Sequence, residues 1–353
     1  MDGKSGRLAL SQERQSPILY FFVKVYSIAA NTFLESIRQP VFAVIVGSAA
    51  ALILISPYIT MFTLQQTPRL VMDMGLATVM LAGMLLAAFT ASNVISQEIE
   101  NKTVLTVVSK PVGRTEFILG KFIGVMAGLI VATYLLSLTL VLSVSGGALE
   151  ADIEMELSLW IVLSMVGAMF LSVGYGIYCN FFRDQPFTSR TVGMVIPLFT
   201  LVFLIFCFID PRNSKIGGFG TGINVEVIYA CIMMLWSILV LAGIAIAAST
   251  RLTVVVNVTL CSGIFLLGLL SPYLFRTLGK GNLIAQGAYY VTPNLQTFWV
   301  ADYLYTTLST TMEKAAMVHV PWQLVVASGM YAFCLLGALL FLAMFLFEER
   351  QLA

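Results

Sequence analysis

The stretch "NVISQEIENKTVLTVVSKPVGRTEFILGKFIGVMAG", residues 93–128, places seven charged side chains (Glu98, Glu100, Lys102, Lys110, Arg114, Glu116 and Lys121) between two long apolar runs. The rest of the chain is poor in charge. Of its 353 residues 59% are hydrophobic and 10% charged, with mean hydropathy +0.93, whereas a soluble domain carries about 25% charged residues. The apolar runs on either side are each long enough to cross a hydrocarbon core of ~30 Å, which takes about 20 residues. The quoted stretch therefore reads as a water-facing connection between two membrane spans, and the chain as an all-α, polytopic membrane protein with one domain over 1–353.

Eight segments satisfy the length and apolarity of a span: 40–60, 71–94, 117–142, 158–180, 191–209, 226–248, 252–271 and 322–347. Pro197 interrupts the fifth, and "ASTRL" leaves only a tight turn between the sixth and seventh. Lys and Arg near span ends resist translocation and so set direction. With the N-terminus in the cytoplasm, thirteen of the nineteen Lys and Arg lie inside and six outside. That places both termini and the 93–116 segment in the cytoplasm, with 143–157 and 272–321 outside.

Before the first span, residues 18–38 alternate at helical spacing. Phe22, Val25, Ala29, Phe33 and Ile37 make an apolar face, and Lys24, Ser27, Asn31, Glu35 and Arg38 a polar one. Such a helix lies in the membrane interface, and Pro40 ends it. The opening residues lack the pattern of a cleaved secretory signal. Outside, 143–157 carries Glu150, Asp152, Glu154 and Glu156 without EF-hand spacing, which reads as a solvated acidic loop. The 272–321 connection is rich in Tyr, Phe and Trp and carries Thr292-Pro293 as a helix start, so it is expected to hold one or two short interfacial or re-entrant helices.

Catalytic chemistry has little to work with. One histidine, His319, cannot build a zinc site or a serine triad. The five cysteines form no C-x-x-C pair and read as inert packing residues. No G-x-x-x-x-G-K-[ST] is present, so the chain alone does not hydrolyse ATP and is not an enzyme. A net charge of +1 implies no nucleic-acid partner. Asp73 and Lys121 lie near span ends, where a charge reaches water, and the middle of every span is free of ionisable groups, unlike a proton-driven pump. Gly120, Gly124 and Gly128 recur every four residues in the third span, a spacing that allows close helix approach either within the chain or across a dimer seam.

In the 96–116 segment, "SQEIENKTVLTVVSK" continues helically from the second span, Lys110-Pro111-Val112-Gly113 breaks the chain, and Arg114-Thr115-Glu116 starts the next helix. An element joined to two spans in this way can transmit a push. Its residues Glu98, Glu100, Lys102-Thr103, Leu105, Ser109-Lys110-Pro111, Arg114, Phe117 and Gly120-Lys121 resemble the cytoplasmic motif of type-2 ATP-binding-cassette permeases, the membrane subunits of bacterial exporters related to the nitrous-oxide-reductase maturation and gliding-motility permeases. "NTFLESIRQP" (31–40), "YYVTPNLQTFWVAD" (289–302) and "FLFEERQ" (345–351) extend the likeness along the chain in order.

The resemblance implies a permease subunit in the bacterial cytoplasmic membrane. It would pair with a second permease subunit, as homodimer or heterodimer, and with separate ATPase subunits that carry the ATP and magnesium, so that no cofactor belongs to this chain. Membrane lipid would surround it. It also implies a coupling helix, with Glu98, Glu100, Lys102, Thr103, Pro111 and Arg114 at or near the ATPase contact. The family plan has six spans, whereas eight are counted here, with the additional pair inside about 158–249. A scaffold that keeps the permease fold without transporting is the alternative; the substrate is not legible.

The orientation has a direct test. In a background without native cysteines, Ser109→Cys and Ser145→Cys are expected to react with a membrane-impermeant maleimide from opposite sides, and labelling from one side would overturn the eight-span topology.

Overall fold

Lipid offers no hydrogen bonds, so a crossing segment must satisfy its backbone internally, and the helix does so with every residue. The computed structural model describes residues 17–60, 67–100, 113–147, 154–210, 215–216, 220, 225–278, 286–287, 289, 292–300 and 320–350. Its long helices are α1 (Pro17–Arg38), α2 (Pro40–Thr60), α3 (Thr67–Glu100), α4 (Arg114–Gly147), α5 (Glu154–Arg183), α6 (Phe187–Phe206), α7 (Val225–Ser249), α8 (Val254–Ser271) and α9 (Trp322–Arg350). Eight of them, α2 to α9, are long and apolar enough to cross a membrane, and the protein is a multi-pass membrane protein.

Burial divides the spans into a centre and an edge. In α3, α4 and α7, 61%, 72% and 78% of the apolar stretch is buried, against 28% in α5 and 17% in α6. The first three form the core, with α2, α8 and α9 around them. The pair α5–α6 stands outside as a hairpin, packed on itself and, through Met165, Ala168, Phe199 and Val202, on Leu135, Leu138 and Leu142 of α4. Helices α8 and α9 are covered to a similar small extent, 28% and 22%.

Apolar side chains gain little by leaving lipid for each other, so association rests on close packing and on polar contacts. Glycines supply the first. Gly75 of α3 receives Leu140 of α4, and Gly83 receives Ile238 of α7, each so closely that a Cβ would not fit. A Cβ on Gly243 of α7 would lie 3.0 Å from Leu339 of α9. The Gly75–Leu140 contact also fixes the antiparallel register of α3 and α4. Both helices have 34 residues, about 51 Å at 1.5 Å per residue, and in this register they finish side by side.

Asn257 supplies the polar contact. Fully buried on α8, it donates through Nδ2 to Ser92 Oγ of α3 at 2.7 Å and to the Ala245 carbonyl of α7 at 3.1 Å. Many other hydroxyls on the spans bond within their own helix, as Thr139 does to the Leu135 carbonyl and Ser172 to the Ala168 carbonyl.

Several expectations about connections change. Pro197 lies inside a continuous α6 rather than interrupting it. Helices α4 and α5 run to Gly147 and from Glu154, so they take up most of the acidic connection; 148–153 fall outside the described residues. The α7–α8 turn is closed by Arg251 and Leu252 amides donating to the Ala248 carbonyl, and Arg251 Nε donates to the Leu346 carbonyl of α9 at 3.0 Å. In the aromatic connection, Pro272–Leu278 prolongs α8 as a π-helical turn and Leu295–Phe298 forms one 3-10 turn whose Leu295 packs on Gly268.

At the same end, Ile209–Asp210 pairs antiparallel with Lys215–Ile216, just after a buried Cys207. Cys334, expected to pack inside, is exposed on the outer face of α9. Glu226, buried at the start of α7, accepts the Val320 amide at 2.8 Å and ties α7 to the approach to α9.

Asn257→Leu removes both interhelical donors and is expected to lower the unfolding free energy in micelles by about 1 kcal/mol. An unchanged unfolding curve would show that α8 is held by packing alone.

Candidate functional site: the α1–α4 seam

The three glycines at four-residue spacing form a flat strip along the first half of α4, and α1 lies on it. A Cβ on Gly120 would stand 2.7 Å from Ile28 Cβ, one on Gly124 would stand 2.6 Å from the Ala29 carbonyl oxygen and from Thr32 Cβ, and one on Gly128 would stand 3.3 Å from Ser36 Cβ. The contacts rise together along both chains, so α1 and α4 run in the same direction. The second half of α4 carries α2 instead, where Ser143 Oγ donates to the Ile53 carbonyl at 2.9 Å. Helices α1 and α2 therefore follow one another along α4, with the corner at Gln39–Pro40.

This seam changes the expected faces of α1. Of the expected apolar face, Val25, Ala29 and Ile37 are buried and Phe33 packs partly buried against the core, but Phe22 is 62% exposed and Thr32 and Ser36 are buried in its stead. A glycine strip admits small side chains at closest approach, and Ala29, Thr32 and Ser36 are the small residues at the right spacing. The large aromatics Phe22 and Tyr26 are turned outward.

Charge holds the same orientation. Lys24 Nζ lies 3.4 Å from Glu116 Oε2, and Lys121 Nζ lies 3.4 Å from Glu35 Oε2. Each helix thus contributes one acid and one base. Lys121, expected to reach water, is instead 2% exposed, beside Glu35 and 5.7 Å from the centroid of the Phe117 ring. A lysine can stay buried only if an acid and polar groups replace its water. Lys24 also stands 4.2 Å over the Tyr20 ring.

Glu116 does two tasks. Its Oε2 accepts the Gly113 amide at 2.9 Å, the reach-back from the third helical position that caps a helix start. The Phe117 amide closes the first turn onto the Gly113 carbonyl at 3.1 Å. The point where the chain enters α4 is thus tied, through one carboxylate, to Lys24 of α1. Near the other end of α1, a cavity of about 540 Å³ opens between α1, α2 and α3, lined by Asn31, Glu35, Arg38, Gln39 and Asn93. Asn93 Nδ2 donates to Gln39 Oε1 across it at 3.3 Å.

Of the residues expected at the contact segment, Glu98 and Glu100 lie on the last turn of α3 and Arg114 is the first residue of α4. Lys102, Thr103 and Pro111 fall outside the described residues. Gly120, Gly124 and Gly128 are brought together with α1 of the same chain, which fills the face that a dimer seam would need. The sequence reading missed the part of Lys24, Glu35 and Glu116. Their signal was available as two opposite-sign pairs flanking the glycine strip, but pairing across 86 or more positions cannot be read from spacing.

The seam is testable by disulfide formation. Ser36→Cys with Gly128→Cys, in a chain without native cysteines, brings Cβ atoms to 3.3 Å, close to the ~3.5–4.5 Å of a disulfide. The bond is expected to form within one chain; a covalent dimer on a non-reducing gel would instead mark the glycine strip as a seam between copies.

No protein-family model matches the chain, and no curated protein matches it in sequence.

Proposed function

We propose that this protein is the membrane-spanning subunit of an ATP-binding-cassette exporter of the bacterial cytoplasmic membrane, with both termini cytoplasmic. A second permease subunit and separate ATPase subunits complete the assembly. The observation that carries this reading is the junction at the shared end of α3 and α4. Segment 101–112 joins two helices of 34 residues that stand side by side, and Glu116 ties the re-entry point to α1. A push on that segment moves three helices together.

In this reading Glu98, Glu100, Lys102, Thr103, Pro111 and Arg114 dock on the ATPase, and ATP binding there tilts α3 and α4. Helix α1 lies at the cytoplasmic interface. Support comes from α2, whose 20 apolar residues beside the second half of α4 suffice to cross the core. The Lys24–Glu116 pair then stands at headgroup level at the entry to α4, and α1 continues beside Gly120–Gly128 of the third span. Because α1 covers the glycine strip, the second permease subunit meets another face.

Exposed ion pairs contribute about 0–1 kcal/mol, whereas truncating a charge at an interface costs roughly 2–5 kcal/mol. Glu98→Ala with Arg114→Ala is therefore expected to leave insertion and expression intact while abolishing co-purification of an ATPase, or retaining it without substrate-stimulated ATP hydrolysis. Normal complex yield and normal activity in that variant would overturn the docking role. An ATPase complex that moves no substrate would assign the chain as a non-transporting scaffold.

A further inference from the structure

The turn between α5 and α6 lies apart from the glycine strip and is closed by hydrogen bonds of its own. Helix α5 ends at Arg183, and Asp184 adopts φ +50, the left-handed region. The Gln185 amide donates to the Cys179 carbonyl at 3.3 Å and Asn180 Nδ2 donates to the Gln185 carbonyl at 3.1 Å. Pro186 then starts α6, and Gly176 of α5 admits Thr191 and Phe187 of α6 with no room for a Cβ. The backbone of the turn is therefore fixed, and with it the positions from which two arginines project, Arg183 at the end of α5 and Arg190 in the first turn of α6.

Both arginines are exposed. Among the described residues no ion pair engages Arg183, Arg190 or Asp184. These three are the charged residues between Gly176 and Val192, so the turn carries a net charge of +1. Beside them Tyr178, Phe181 and Phe182 form an exposed aromatic cluster, with Tyr178–Phe182 centroids 5.0 Å apart and Phe181–Phe182 centroids 5.6 Å apart. Phe181 is 81% exposed. Above the cluster the hairpin offers apolar helix faces that the bundle does not cover.

The geometry points to a binding site for one anionic phospholipid of the phosphatidylglycerol class at the α5–α6 turn. Arginine is suited to the phosphodiester because its planar fork donates to two oxygens at once. The aromatic rings suit the layer where headgroup meets acyl chain, and the uncovered faces of α5 and α6 receive the chains. A local charge of +1 complements a headgroup of charge −1, whereas a zwitterionic lipid would leave the second arginine unmatched. The site requires only that the hairpin cross the membrane, and it does not depend on the proposed ATPase partner.

The test uses the full chain in nanodiscs of dioleoyl-phosphatidylcholine doped with dioleoyl-phosphatidylglycerol or dioleoyl-phosphatidylethanolamine, with retained lipid measured by native mass spectrometry after detergent extraction. Phosphatidylglycerol is expected to be retained selectively. Arg183→Gln with Arg190→Gln is expected to weaken that retention roughly thirtyfold, from about 1 kcal/mol per basic residue at a membrane surface. Arg183→Lys with Arg190→Lys should keep most of it, and thermal unfolding of both variants in pure phosphatidylcholine should match the parent. Equal retention of phosphatidylcholine, or retention unchanged in the glutamine variant, would overturn the site. Preference for phosphatidylethanolamine would overturn the anionic assignment and implicate Asp184, and displacement of the lipid by millimolar inorganic phosphate would reduce the site to a phosphate pocket.

Discussion

The close approach of α1 to α4 is the constraint on which the organisation of this protein's basic end depends. In lipid or at its surface, two helices adhere only if their backbones come near enough for dispersion contacts to accumulate. Gly120, Gly124 and Gly128 permit that approach, and Ala29, Thr32 and Ser36 complete it from the other side. Once the helices are that close, Lys24 meets Glu116 and Lys121 meets Glu35, so the polar side chains are satisfied by the same geometry that sets the packing. Each pair requires the glycine strip, and without the pairs a buried Lys121 would be costly.

From that seam the positions of neighbouring elements follow. Glu116 caps α4 while held by Lys24, which fixes where the chain re-enters the bundle. Gly75 and Leu140 fix the register of α3 on α4, so that the two long helices end together. Asn257 then ties α8 to α3 and α7 through Ser92 and the Ala245 carbonyl. The core of α3, α4 and α7 is thus held by a few small residues and buried polar bonds. The α5–α6 hairpin is tied to α4 by the Tyr134–Thr200 hydroxyl pair at 2.9 Å and presents most of its surface outward.

Much of the architecture was legible from sequence because the membrane imposes one rule on every segment. About 20 apolar residues must run without charge, and eight such runs stand out. The helix before Pro40 was equally legible from its periodicity. Its inner face was legible at Val25, Ala29 and Ile37 but not at Phe22, because periodicity ranks side chains by hydrophobicity whereas a glycine strip selects by size. Lys121 was misread for a related reason: proximity to a span end suggested access to water, but the neighbouring α1 closes that access and supplies Glu35.

The amino-acid sequence by itself determined the all-helical class, the number of spans and the concentration of charge at 93–128, since each follows from local composition and the thickness of a bilayer. Tertiary structure decided which spans form the core, that the glycine strip receives α1 of its own chain, and that Glu116 joins a helix cap to an ion pair. Those outcomes depend on contacts between residues such as Glu35 and Lys121, far apart along the chain, and only the packed helices bring them to 3.4 Å.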